Sequence, residues 1–145
     1  MHFEKTIEIE APPETVWEVV ADIERWPGWT ESIKRVEVVR GPLGPNAVYR
    51  LDVRGTRRSD WAVTGWDPGR RFSWRTKIQG VTCDAAHEIE PAGAGARLRL
   101  TLDYSGFMAK LFAPMIGRTS KQNLDMESAG MKRAAEMKAR EKAAT

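Results

Sequence analysis

The chain has 145 residues, 41% hydrophobic and 30% charged, a balance that supports one packed core and argues against disorder. Its formal net charge is +3 and its only cysteine is Cys83, which excludes an internal disulfide and fits a reducing, cytoplasmic setting. No stretch approaches the roughly 18 uninterrupted apolar residues of a membrane span, and the alternating, acid-containing start MHFEKTIEIE reads as a strand rather than a signal peptide.

Phe3, Lys5, Ile7 and Ile9 share one face of that first strand, which the period of two makes half-buried. Ala11-Pro12-Pro13-Glu14 then opens a short helix, since proline is tolerated in the first turn and glutamate suits the positive helix end. Val16, Trp17 and Val20 supply its apolar stripe. Asp22 is placed to cap a second helical piece, which Trp26-Pro27-Gly28-Trp29 ends. Trp17, Trp26 and Trp29 are expected to wedge this insert against the sheet edge.

From Ile33 the period returns to two. IKRVEVVR puts Val36 and Val38 on one face, and Gly41 to Asn46 is turn-rich. AVYRLDVR sets Tyr49, Leu51 and Val53 opposite Arg50, Asp52 and Arg54; RSDWAVTGW places Trp61 with Val63 and leaves the direction of Trp66 open. After the turn Asp67-Pro68-Gly69-Arg70, RRFSWRTKI alternates Phe72, Trp74, Thr76 and Ile78 with Arg71, Ser73, Arg75 and Lys77. VTCDAAHEIE aligns Val81, Cys83, Ala85, His87 and Ile89, and RLRLTLDYS turns Leu98, Leu100, Leu102 and Tyr104 inward.

About seven short strands with clean alternation imply an antiparallel sheet with one solvated face. Its cover is the C-terminal segment, which from Phe107 to about Lys142 is rich in Ala, Lys, Met and Glu and reads as a helix. Leu111, Met115, Leu124, Met131 and Ala135 form its broad apolar stripe. Pro114 and Gly117 should kink it or delay its start. The resulting fold class is α+β: a sheet layer covered by one long helix, with two short helices after the first strand. Residues 1–145 read as one domain.

This segment also carries Lys110, Arg118, Lys121, Lys132, Arg133, Lys138, Arg140 and Lys142 against four acids, leaving the rest nearly neutral. A basic helix end of this kind is either a solvated face or a docking module for a partner. The outward set Arg71, Arg75, Lys77, Arg97 and Arg99 lacks interleaved aromatics, so no nucleic-acid partner is expected. There is no phosphate loop, dinucleotide fingerprint or nucleophile elbow, and two histidines with one cysteine make no zinc site. Neither a metal nor a cofactor is implied.

The pieces IEIEAPPETVWEVVADIERWPGW, VTGWDPGRRFSW, HEIEPAGAGARLRLTLDY and the closing GMKRAAEMKAR resemble the START-like (SRPBCC) superfamily. Within it they are similar to the polyketide cyclase/dehydrase branch and its lipid-transport relatives. The resemblance covers nearly the whole chain. It implies a helix-grip (START-like, Bet v 1-like) fold whose curved sheet and long helix enclose a cavity for a small apolar molecule, in a monomer or a homodimer. Some relatives of this kind are enzymes, polyketide cyclases or dehydratases; others only bind.

With that fold, the inward strand residues become candidate ligand contacts: Tyr49, Leu51, Val53, Trp61, Val63, Trp74, Thr76, Cys83, Ala85, His87, Leu100, Leu102 and Tyr104. Phe107, Leu111 and Met115 join them from the helix. His87 is the candidate catalytic residue, because an inward imidazole can move protons near neutral pH. Cys83 lies four strand residues away, roughly 13 Å, too far to be activated by it. Cys83 therefore reads as a small buried apolar residue. Lys5, Tyr49 and Tyr104 complete the short list of inward ionisable groups, and that scarcity favours binding over turnover.

Overall fold

Side-chain alternation becomes seven strands in the computed structural model, which describes residues Met1–Thr145. They are β1 (His2–Ile9), β2 (Ile33–Arg40), β3 (Val48–Val53), β4 (Ser59–Asp67), β5 (Arg71–Ile78), β6 (Val81–Ala92) and β7 (Gly95–Ser105). They form one curved antiparallel sheet in the order β1-β7-β6-β5-β4-β3-β2. Sequential neighbours pair through short turns, and β1 closes onto β7 with His2 opposite Asp103 and Ile9 opposite Ala96. The helix α1 (Pro13–Ala21) and a 3-10 turn (Ile23–Gly28) stand between β1 and β2, and the long helix α2 (Ala113–Ala144) ends the chain.

Pro13 opens α1 as its residue chemistry requires, and Val16, Val19 and Val20 bury its inner face. Asp22 makes no side-chain cap at the 3-10 turn; its carboxylate instead meets Arg25 at 3.4 Å. Edge strand β2 half-buries Val36, but Val38, two residues on and opposite Tyr49, is exposed.

The core runs through Ile9, Val16, Val20, Trp26, Leu51, Phe72, Trp74, Leu98, Leu100, Leu124 and Met131. Trp26 does not wedge at the sheet edge as expected. It is 1% exposed, in edge contact with Trp74 at 5.6 Å between centroids. Trp66 turns inward onto Trp17 and Phe72, because a register shift between Val63 and Gly65 resets the strand phase.

Of the outward basic set, Arg71, Arg75, Arg97 and Arg99 are held in cross-strand pairs and Lys77 is not. Arg75 forks onto Asp84 at 2.6 and 3.3 Å, Arg97 bridges Glu8 and Glu90, and Arg99 meets Glu4. Much of the basic helix end is engaged as well. Lys138 and Lys142 pair with Glu18 of α1, Lys132 pairs with Glu136 and donates to the Glu8 carbonyl, and Arg133 donates to the carbonyl of Trp29.

The last helix begins later than its composition suggests. Gly106 has φ +107° and turns the chain against the Gly80 backbone, a conformation that only glycine takes easily. Residues 107–112 then form turns, and α2 starts at Ala113 with Pro114 in its first turn, where the missing N–H costs nothing.

Candidate functional site

The inner faces of β3 to β7 and the first four turns of α2 enclose a cavity of about 410 Å³, within the size range of small-molecule sites. Of its 29 lining residues 18 are hydrophobic, so the wall selects for an apolar occupant. Leu51, Val53, Trp61, Trp74, Thr76, Cys83 and Ala85 line it from β3 to β6, and Leu100, Leu102 and Tyr104 from β7. Its exposed lining residues, Gly55, Thr56, Arg57, Gln79 and Met115, belong to the β3–β4 and β5–β6 turns and the start of α2. Those segments form its mouth.

Four expected contacts lie outside this wall. Tyr49 is buried in the core behind Trp74, 6.2 Å away between centroids, and Val63 packs half-buried against the core. Phe107 and Leu111 are 87% and 68% exposed, because the turns before Ala113 break the helical phase that would have carried them inward. Phe107 instead covers Gly80 in the β5–β6 turn. Met115 borders the mouth but is largely exposed. The helix face that meets the cavity is Ile116, Thr119, Ser120, Asn123, Leu124 and Glu127, spaced three and four apart as one stripe requires. Lys5 lies outside the cavity wall, 3.2 Å from Asp125 of α2.

His87 lies deep in the wall at 3% exposure. Its ring stacks on Phe72 at 4.4 Å and 12° and tilts against Trp26 at 5.4 Å. Nε2 donates to Glu127 Oε1 at 3.2 Å, and Nδ1 is buried with no partner in the protein. The carboxylate orients the imidazole, the arrangement by which a base is held ready. Glu127 has no apolar or strand signal of its own; in sequence it reads as one more acid on a charged helix. Only its distance from His87 reveals it.

Three other lining residues carry buried polar atoms without protein partners: Trp61 Nε1, Thr76 Oγ1 and Asn123 Oδ1. Buried polar groups are normally satisfied, so their concentration around one apolar space marks where an occupant can be held in one orientation. Asn123 is itself anchored, its Nδ2 donating to the Arg54 carbonyl at 3.0 Å. Across the cavity Ser120 Oγ donates to Tyr104 Oη at 2.8 Å. Burial is the main reason the Tyr104 hydroxyl holds its proton above its ordinary range, with the neighbouring Cys83 adding to it.

Burial also pushes the Cys83 thiol up to about 12. The thiol is therefore protonated at neutral pH and a poor nucleophile. Native protein at pH 8 is expected to react with an aromatic disulfide reagent at least a hundredfold more slowly than protein unfolded in urea. Equal rates in the two states would show Cys83 to be accessible and activated.

Comparison with known proteins agrees with this architecture. The family described as polyketide cyclase / dehydrase and lipid transport matches residues 1–136. An uncharacterized protein of Mycobacterium tuberculosis is 26% identical over 106 residues, 69% of this chain and 63% of that protein. The chain thus matches less than two thirds of the length of these relatives. Among solved structures, a START superfamily protein from Mycobacterium smegmatis superposes with a TM-score of 0.70 at 21% identity, covering 97% of each chain. The Zhui aromatase/cyclase from Streptomyces superposes with a TM-score of 0.69 at 22% identity, covering 92% of this chain and 94% of that one. No helix is long and apolar enough to cross a membrane. With the helix-grip fold and a match from end to end of the sheet and into the last helix, the chain belongs to the polyketide cyclase/dehydrase and lipid-transport family.

Proposed function

We propose that the protein binds a small apolar molecule between the sheet and α2. The observation that carries this reading is the cavity of about 410 Å³ with its predominantly hydrophobic wall. Burying an apolar ligand there gains roughly 25 cal/mol per Å² removed from water, and the wall is already folded, so little ordering cost opposes it. The unpartnered atoms of Trp61, Thr76, His87 and Asn123 would orient polar substituents.

The test fills the space. Ala85 faces the cavity from the middle of β6, between Trp74 on β5 and Leu102 on β7. Ala85→Trp is expected to fold with a melting temperature within a few degrees of the parent, since the indole enters open volume instead of a packed core. It should lose any co-purifying apolar molecule seen by native mass spectrometry and bind an environment-sensitive fluorophore at least tenfold more weakly. Strong destabilisation, of the size usual for overpacking a filled core, would mean that the space is not available to a ligand.

A second reading, an enzyme of the cyclase or dehydratase type, is favoured by the His87–Glu127 pair. In it His87, oriented by Glu127, removes a proton next to a carbonyl of a polyketide-like substrate and returns it to the leaving or newly formed oxygen. Turnover that is lost in His87→Gln while ligand affinity is retained would support this reading over simple binding.

A further inference from the structure

The sheet is split at one place, and the split joins the apolar cavity to a basic cleft on the outer face. The β3–β4 ladder continues to Leu51 opposite Ser59, and the β5–β6 ladder to Ile78 opposite Val81. Between them the β4–β5 ladder stops at Ala62 opposite Arg75. Ser59, Asp60 and Trp61 therefore separate from Thr76, Lys77 and Ile78, although each set remains paired on its other side. The inner cavity and the outer cleft share Arg57, Thr76, Ile78 and Gln79, as a slit between the two strands requires.

Charge is unbalanced at this slit. Asp60 is forked by Arg50 at 2.7 and 3.3 Å, and Asp84 is occupied by Arg75. Arg57, Arg58 and Lys77 border the cleft and make no ion pair, unlike Arg50 and Arg75 beside them. Their guanidinium and ammonium groups suit a carboxylate or phosphate. Three buried donors stand at the slit without partners, Ser59 Oγ, Thr76 Oγ1 and Trp61 Nε1, the last two on residues only 4% and 8% exposed.

We propose that the β4–β5 slit is a head-group site for an amphiphile that places its apolar body in the cavity and its anionic group between Arg57, Arg58 and Lys77. The site rests on the ligand-binding reading and narrows it to one chemical class, an alkyl or aryl body ending in a carboxylate or phosphate.

Isothermal titration with decanoate, decyl phosphate and decan-1-ol tests it, using the full chain and the variant Arg57→Ser/Arg58→Ser/Lys77→Ser. These three side chains are exposed and unpaired, so the variant should fold normally, which its melting temperature checks. At low salt at least one of the two anions is expected to bind ten times or more tighter than the alcohol, with the preferred anion identifying the head group. The variant should lose that preference and keep its affinity for decan-1-ol, and added salt should narrow the preference in the parent. Equal affinity for all three ligands, or an undiminished preference in the variant, would overturn the head-group site alone. Failure of all three to bind would overturn it together with the cavity reading.

Discussion

Gly130→Ala is expected to destabilise the protein by about 3 kcal/mol, near the upper end of the usual cost of overpacking. Alanine is the better helix former by about 1 kcal/mol, so propensity alone predicts the opposite sign. Position decides it. Gly130 is buried in the middle of α2, and a Cβ there would overlap the carbonyl oxygen of Trp29 and come within 2.7 Å of its ring. A backbone carbonyl cannot rotate away as a side-chain end can. Trp29 leans on Trp26 at 6.0 Å, which packs against Trp74 and His87, so the displacement would reach the cavity wall. The internal control is Gly117→Ala in the same helix, where the nearest atom is the Phe3 ring at 3.8 Å, an ordinary contact. That variant should be neutral or stabilised by up to about 1 kcal/mol. Urea unfolding of both variants checks the pair, and similar shifts in the two would mean that α2 does not close on Trp29 at Gly130.

The strands were readable in sequence because their signal is local. In Phe72-Ser73-Trp74-Arg75-Thr76 each residue states its own face, and the observed wall follows that phase from Leu51 to Tyr104. The helix was readable as an element but not in register. Met108, Ala109, Lys110 and Leu111 have helical propensity, while the turn at Gly106 that keeps them out of the helix depends on contact with Gly80, distant in sequence. An error of position at the start misplaces the contacts of the first turns, which is why Phe107 and Leu111 were expected inside and Ile116 and Asn123 were not, while Leu124, Met131 and Ala135 further along are buried as their stripe implies. Glu127 and the slit between β4 and β5 share a further obstacle. Each exists only as a relation between elements: an acid beside a particular histidine, and a ladder that stops while its neighbours continue. Trp26 shows the same limit, since indole burial was foreseeable but its place between Trp74 and His87 was not.

A double-mutant cycle on His87 and Glu127 should return strongly non-additive costs. Glu127→Leu leaves the imidazole in its shell of Phe72, Trp26 and Trp74 with both ring nitrogens unpartnered, and is expected to cost about 2 kcal/mol, the penalty of stranding a buried polar group. His87→Leu should cost less, about 1 kcal/mol, because the Glu127 side chain is 15% exposed and can turn its carboxylate to water. The double variant should lie within about 0.5 kcal/mol of the parent, since removing both partners strands neither. The coupling of roughly 3 kcal/mol is read from urea unfolding of the four proteins; additive losses would mean that the 3.2 Å contact carries no interaction. The cycle also separates stability from use. A pair that two leucines replace at no cost to folding is not held there by the core. If the double variant also loses affinity for its ligand, or turnover, the pair acts on the occupant of the cavity, which the apolar wall alone could retain but could not orient.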